Sequence, residues 1–146
     1  MAAPVQEAAA ARVMRGVFAV VCGAMVSVGV VTVSDAFAGR LFSFPLIAPG
    51  TDAATTKALL EAAIAKAPLS AMLAMVAGYF VAALCGGFIA RKISSGRGVA
   101  ASLAVGLLVL AATIANFVSM QHPLVMVWLG VLAPLPGALL GARLAK

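Results

Sequence analysis

The side chains that could do chemistry in this 146-residue chain are few: one histidine, four carboxylates and two cysteines. Cys22 and Cys85 stand alone in apolar runs, without the C-x-x-C spacing of a zinc or redox site. No nucleophile stands beside a base in a recognisable pattern, so no catalytic residue, metal site or cofactor is assigned. What remains is a set of polar groups within or at the ends of apolar runs: Ser27, Asp35, Tyr79, Thr113, Asn116 and His122. Thr113 and Asn116 share a helical face at i, i+3 spacing, and Met120 continues it. At about 1.5 Å per helical residue, Ser27 and Thr113 lie about 10 Å, and Tyr79 and Pro134 about 15 Å, below the outer boundary. Asp35, Tyr79, Thr113, Asn116 and His122 thus form a candidate polar cleft facing outward. Interhelical hydrogen bonding accounts for the same residues with no ligand involved. The Tyr79 hydroxyl needs an acceptor, and the Gly130 carbonyl is the expected one. Met72, Met75, Met120, His122 and Met126 gather near the outer ends of the runs. Thioethers with an imidazole suit Cu(I), but methionine is an ordinary gap-filler in helical cores.

The elements that must carry these groups follow from composition. The chain is 64% hydrophobic and 10% charged, with a mean hydropathy of +1.17. A soluble domain averages about 45–50% apolar and 25% charged residues, so a soluble fold and a disordered chain are both excluded. Four apolar runs approach the roughly 20 residues that cross a bilayer: Val13–Val33, Leu69–Ala90, Val99–Met120 and Leu124–Leu140. Continuous apolar runs lack the alternation of a membrane barrel, so all four are helices. The expected fold is all-α, a four-transmembrane-helix bundle of two hairpins in a single integral membrane domain, residues 1–146.

Orientation follows from the basic residues. Arg12, Arg15, Arg91, Lys92, Arg97, Arg143 and Lys146 flank one side; Arg40, Lys57 and Lys66 flank the other, balanced by Asp35, Asp52 and Glu61. Both termini are therefore expected on the cytoplasmic side of the cell inner membrane. The net charge of +6 is an inner-face excess suited to anionic lipid, and nucleic acid is not an expected partner. Ala36-Phe37-Ala38 imitates a signal-peptide cleavage site, but the apolar stretch before it is too long and Asp35 abuts it, so cleavage is not expected.

Between the first two runs lies an outer loop, residues 34–68. Phe42-Ser43-Phe44-Pro45 is expected at the membrane interface, and Pro49-Gly50-Thr51-Asp52 is a turn able to cap a helix. Residues 52–66 then form a short amphipathic outer-surface helix, with Leu59, Leu60, Ala63, Ile64 and Ala67 on one face and Lys57 and Glu61 on the other. The pattern suits a lid over the bundle. Trp128 is an interface residue.

Small residues recur every four positions in the second run: Ser70, Ala74, Gly78, Ala82, Gly86 and Ala90. Gly137 and Gly141 supply a shorter stripe in the fourth. Such stripes let backbones approach closely, within the bundle or between copies. Pro134 and Pro136 each remove an amide donor and should kink or locally unwind the fourth run. Arg15-Gly16-Val17 matches Arg97-Gly98-Val99, and Gly78 and Gly86 fall opposite Gly130 and Ala138, a weak internal two-helix repeat.

Together these features have an order: an acidic residue ending the first run, Gly39, Phe42 to Pro45, Pro49-Gly50-x-Asp52, a glycine-rich second run ending Gly86-Gly87-Phe88-Ile89-Ala90-Arg91, Asn116, Gln121-His122-Pro123 and Leu135-Pro136-Gly137-Ala138-x-x-Gly141-Ala142-Arg143. The chain resembles a group of small, uncharacterised bacterial four-helix inner-membrane proteins. Members of that group carry Glu and Gly-His near the end of the first span, where this chain has Asp35 and Gly39-Arg40. The group has no assigned activity, so the resemblance implies topology alone. The expected function is a non-enzymatic structural, accessory or self-associating bundle, with a homo-oligomer or a membrane partner subunit. The alternative is a small transporter or channel using the outer cleft and the kinked fourth span.

Overall fold

Hydrocarbon offers the backbone no hydrogen-bond partner, so each apolar run closes its own amide bonds as a helix. The computed structural model describes residues 3–42, 47–94 and 98–145, with the backbone alone at 3–5. Its helices are α1 (Ala3–Leu41), α2 (Ala53–Lys66), α3 (Leu69–Ile93), α4 (Gly98–Ser119), α5 (Leu124–Leu132) and α6 (Pro134–Leu144); the described residues contain no strand. Four segments are long and apolar enough to cross a membrane: α1, α3, α4 and the α5–α6 pair. The chain is an all-α, multi-pass membrane protein built as a four-helix bundle.

α3 is the central helix and packs against α1, α4 and α6, while α1 and α6 do not touch. Its small-residue stripe faces α1. A Cβ at Gly78 would stand 2.9 Å from the Ser34 Cβ, and one at Gly86 only 2.5 Å from the Gly23 carbonyl oxygen. Ala82 is fully buried on the same stripe. The stripe of α6 faces the other side of α3: Gly137 lies on the Phe80 carbonyl and Gly141 on that of Leu84. The glycine spacing therefore works inside the chain, in both places.

Several elements depart from the sequence expectation. α1 runs from Ala3 to Leu41 rather than from Val13 to Val33. Alanines 8–11 with Arg12 are strong helix formers, and no proline interrupts the helix before Pro45, so it continues past both ends of the apolar run. Asp35, the Ala36-Phe37-Ala38 triplet and Gly39-Arg40 thus belong to its last two turns, and the loop is shorter than residues 34–68. Residues 43–46, which hold the expected interface segment, and Arg97 and Lys146 lie outside the described residues.

α2 begins at Ala53, capped by Asp52, whose carboxylate accepts from the amides of Ala54 (3.0 Å) and Thr55 (2.9 Å). Its covered face is Leu60, Ala63, Ile64 and Ala67; Leu59, expected there, is exposed. Glu61, expected outside, accepts a hydrogen bond from the Gln121 amide (3.2 Å) while staying 3.9 Å from Lys57 Nζ. A free amide beside the α4–α5 turn attracts that carboxylate inward. The fourth run divides at Ala133, whose dihedrals remain helical (φ −69°, ψ −41°), so the two prolines bend the helix without unwinding it.

Candidate functional site

Between the C-terminal halves of α1 and α4 lies a groove of about 320 Å³. α1 contributes Ser27, Val28, Thr32 and Asp35; α4 contributes Leu108, Ala112, Thr113 and Asn116; Tyr79 of α3 closes the back. Four of the five residues assigned to the polar cleft therefore meet, brought together from three helices. His122 does not line it.

The polar groups are ordered by depth. Asp35 stands exposed at the mouth, Asn116 is half-buried, and Tyr79 and Thr113 are buried. Asn116 Nδ2 donates to the Tyr79 hydroxyl at 3.4 Å, a long bond in which Tyr79 accepts, and among the described residues no hydrogen bond joins Tyr79 to the Gly130 carbonyl, the expected acceptor. Gly130 is instead covered by the Phe117 ring, which lies where its Cβ would go. Thr113 Oγ1 donates to the Val109 carbonyl (2.8 Å), and Thr32 Oγ1 to that of Val28 (2.9 Å). Ser27 Oγ lies 2.9 Å from the Ala82 carbonyl and 3.1 Å from that of Gly23, so its one hydrogen ties α1 to α3 or to its own helix. Hydroxyls in helices satisfy their hydrogens this way and keep lone pairs able to accept.

His122 sits behind an aromatic screen. Its ring lies 4.9 Å from that of Phe117, edge to face, and Phe117 in turn meets Tyr79 at 6.4 Å. Nδ1 is 2.8 Å from the Met120 carbonyl, which can only accept, so Nδ1 carries the proton. The described residues hold no group of three or more His, Cys, Asp or Glu side chains able to share a metal ion. Pro134 is buried against α4 near Gly106 and does not line the groove; Pro136 is exposed.

A second groove, about 370 Å³, opens between the N-terminal halves of α1 and α4, lined by Arg12, Val17, Val20, Ser94, Ala100 and Ala104 among others. What separates the two is the crossing of α1 over α4. A Cβ at Gly23 would stand 2.8 Å from the Val105 side chain and 2.6 Å from the Gly86 carbonyl oxygen. Val105 is fully buried there, and the surrounding core of Ala19, Ala83, Ala90, Ala101 and Ala138 is packed around it.

Sequence reasoning passed over three residues. Thr32 lines the groove between Ser27 and Asp35, on the same helix. Ser102 is fully buried, with Oγ 2.7 Å from the Gly87 carbonyl and 2.8 Å from that of Gly98. Its signal was plain: a hydroxyl inside a charge-free helix. Phe117 carried none, since an apolar ring in an apolar run is unmarked. No family model, curated protein or solved structure matches the chain.

Proposed function

We propose that this chain is a non-enzymatic bundle of a bacterial inner membrane, with both termini cytoplasmic, that binds a small ligand in its outer groove. The observation that carries this reading is the convergence of Asp35, Tyr79, Thr113 and Asn116 on one groove. A phenol and an amide held among apolar walls need partners, and a groove that gathers them from two helices beneath a carboxylate of a third is more than helix glue. Binding is favoured over conduction because the Gly23–Val105 crossing stands between the outer and inner grooves. The bent fourth span, which a transport path would also use, packs away from both.

Native mass spectrometry of the chain released from its own membrane tests this. A small-molecule adduct is expected, lost in Ala112→Phe, which fills the groove, and kept in Leu107→Phe, which projects from the exposed side of α4. No adduct, or one that survives Ala112→Phe, overturns the reading.

Self-association is a second reading, favoured by a specific surface. Met14, Phe18 and Met25 form one outward strip of α1, exposed by 61–70%. With the glycine stripes used inside the chain, a second copy would use this strip. Met14→Cys in a background lacking Cys22 and Cys85 would then form disulfide-linked dimers in membranes, and a purely monomeric product counts against it. At the inner end, Arg12, Arg91, Lys92 and Arg143 suit anionic lipid.

A further inference from the structure

We infer that the outer groove takes a cationic amphiphile whose ammonium is joined directly to an apolar tail, the head at Asp35 and Asn116 and the tail between α1 and α4. The inference rests on the groove being a ligand site, as proposed above, and adds the chemistry of the ligand.

Hydrogen-bond bookkeeping around the lining sets the head. The hydrogens of Thr32 and Thr113 go to carbonyls of their own helices, and that of Ser27 goes to Ala82 or Gly23. Asn116 spends one N–H on the Tyr79 hydroxyl. The polar atoms left with free capacity along the lining are then mostly acceptors: the lone pairs of the Thr32 and Thr113 hydroxyls, the Asn116 Oδ1 and the Asp35 carboxylate. Among the described residues no lysine, arginine or histidine lines the groove and Asp35 forms no ion pair. An acceptor-rich lining around one unpaired carboxylate favours a cation and disfavours an anion.

The tail follows from the walls. Below Asp35 and Asn116 the walls are mainly Ala24, Val28, Val31, Leu108 and Ala112, with the hydrogen-bonded hydroxyls set among them. Val28 and Leu108 are both lining and exposed, by 66% and 50%, so the groove opens sideways toward the hydrocarbon. A ligand can enter from the bilayer with its chain already desolvated. The volume, about 320 Å³, falls at the lower end of small-molecule sites, about 300–1,000 Å³.

The order of charges excludes the commonest ammonium-bearing lipids. In a phospholipid the phosphate lies between the tail and the ammonium. Seated here, it would put an anion among acceptors and beside Asp35, with only the Tyr79 O–H and one Asn116 N–H left to donate. A long-chain alkylammonium has no such group and matches both ends of the groove.

The test uses the full chain in neutral maltoside micelles and follows its thermal unfolding midpoint with decylammonium, decyltrimethylammonium, decanoate, decanol or phosphatidylethanolamine. A ligand that binds only the folded state raises the midpoint in a saturable way. Both cations are expected to do so, and decanoate, decanol and phosphatidylethanolamine are not. Asp35→Asn, a conservative change at an exposed position, should weaken the response to decylammonium at least tenfold. Ala112→Phe should abolish it with the carboxylate intact. An equal response to decanoate or phosphatidylethanolamine, or an unchanged affinity in Asp35→Asn, overturns the proposal. Should Ala112→Phe remove a native adduct while decylammonium has no effect on the wild type, the groove stands as a site and the ligand class is overturned.

Discussion

Gly86 carries one of the closest approaches in the bundle. A methyl there would meet Ser27 Oγ, the Gly23 carbonyl oxygen at 2.5 Å and Val105 at 2.9 Å, two of them on α1 and one on α4. A backbone carbonyl cannot turn aside as a side chain can, so α1 must shift. Gly86→Ala is expected to destabilise the chain by about 1–3 kcal/mol, the usual range for overpacking. Gly29 has nothing within 4 Å of its absent Cβ, so Gly29→Ala should be neutral or stabilising by up to about 1 kcal/mol through helix propensity. Denaturant titration in mixed micelles compares the two, and equal losses would refute the packing assignment. Ser102 works by hydrogen bonding rather than shape, with α3 and α4 carbonyls both in reach. Ser102→Ala should cost about 0.6–1.7 kcal/mol, the measured span for such bonds in membrane bundles, and leave ligand response unchanged. The four-residue spacing of Gly78, Ala82 and Gly86 was legible in the sequence because periodicity is local. That the stripe meets Gly23, Ser27 and Ser34 was not, since pairing between helices depends on a tertiary arrangement that spacing alone leaves open.

Helices show the same division between local signals and distant ones. The Asp52 cap of α2 and the bend at Pro134 were both readable, because capping and proline act within one turn. The true length of α1 was not. Hydropathy marks where a helix is apolar, and Asp35 to Leu41 stays helical for reasons of propensity and the absence of a breaker. At α2, hydrogen bonds from Thr55, and from the Ala54 amide, hold the Asp52 carboxyl below the ordinary carboxylate range. A carboxyl whose folded value is depressed contributes stability above its unfolded value, and that contribution is lost as pH falls through the folded one. α2 should therefore fray below about pH 4, the ordinary aspartate value, while the transmembrane helices hold. Amide exchange of residues 53–66 measures this, and Asp52→Asn, which keeps a capping oxygen without the charge, should remove the pH dependence.

At the scale of the molecule, the crossing of α1 over α4 divides one long interface into two grooves whose ends carry opposite charge, Asp35 above and Arg12 below. The same arrangement gathers basic residues at one end. Arg15 Nε donates to the Ile93 carbonyl (2.8 Å), so the start of α1 and the end of α3 lie at one level. α6 runs parallel to α3, with Gly137 beside Phe80 and Gly141 beside Leu84, which brings Arg143 to that level too. Arg12, Arg15, Arg91, Lys92 and Arg143 thus share one end of the bundle. Arg40, Lys57 and Lys66 share the other with Asp35, Asp52 and Glu61. Basic residues close to the spans resist translocation, so the richer end is expected to stay in the cytoplasm and α2 with the Asp35 mouth to face outward. Lys66→Cys and Lys92→Cys, both exposed positions, read this out in a background lacking Cys22 and Cys85. In sealed right-side-out vesicles an impermeant maleimide should label Lys66→Cys at once and Lys92→Cys only after detergent is added. The opposite pattern would invert the molecule, placing the acceptor-lined groove within reach of cytoplasmic rather than external amphiphiles.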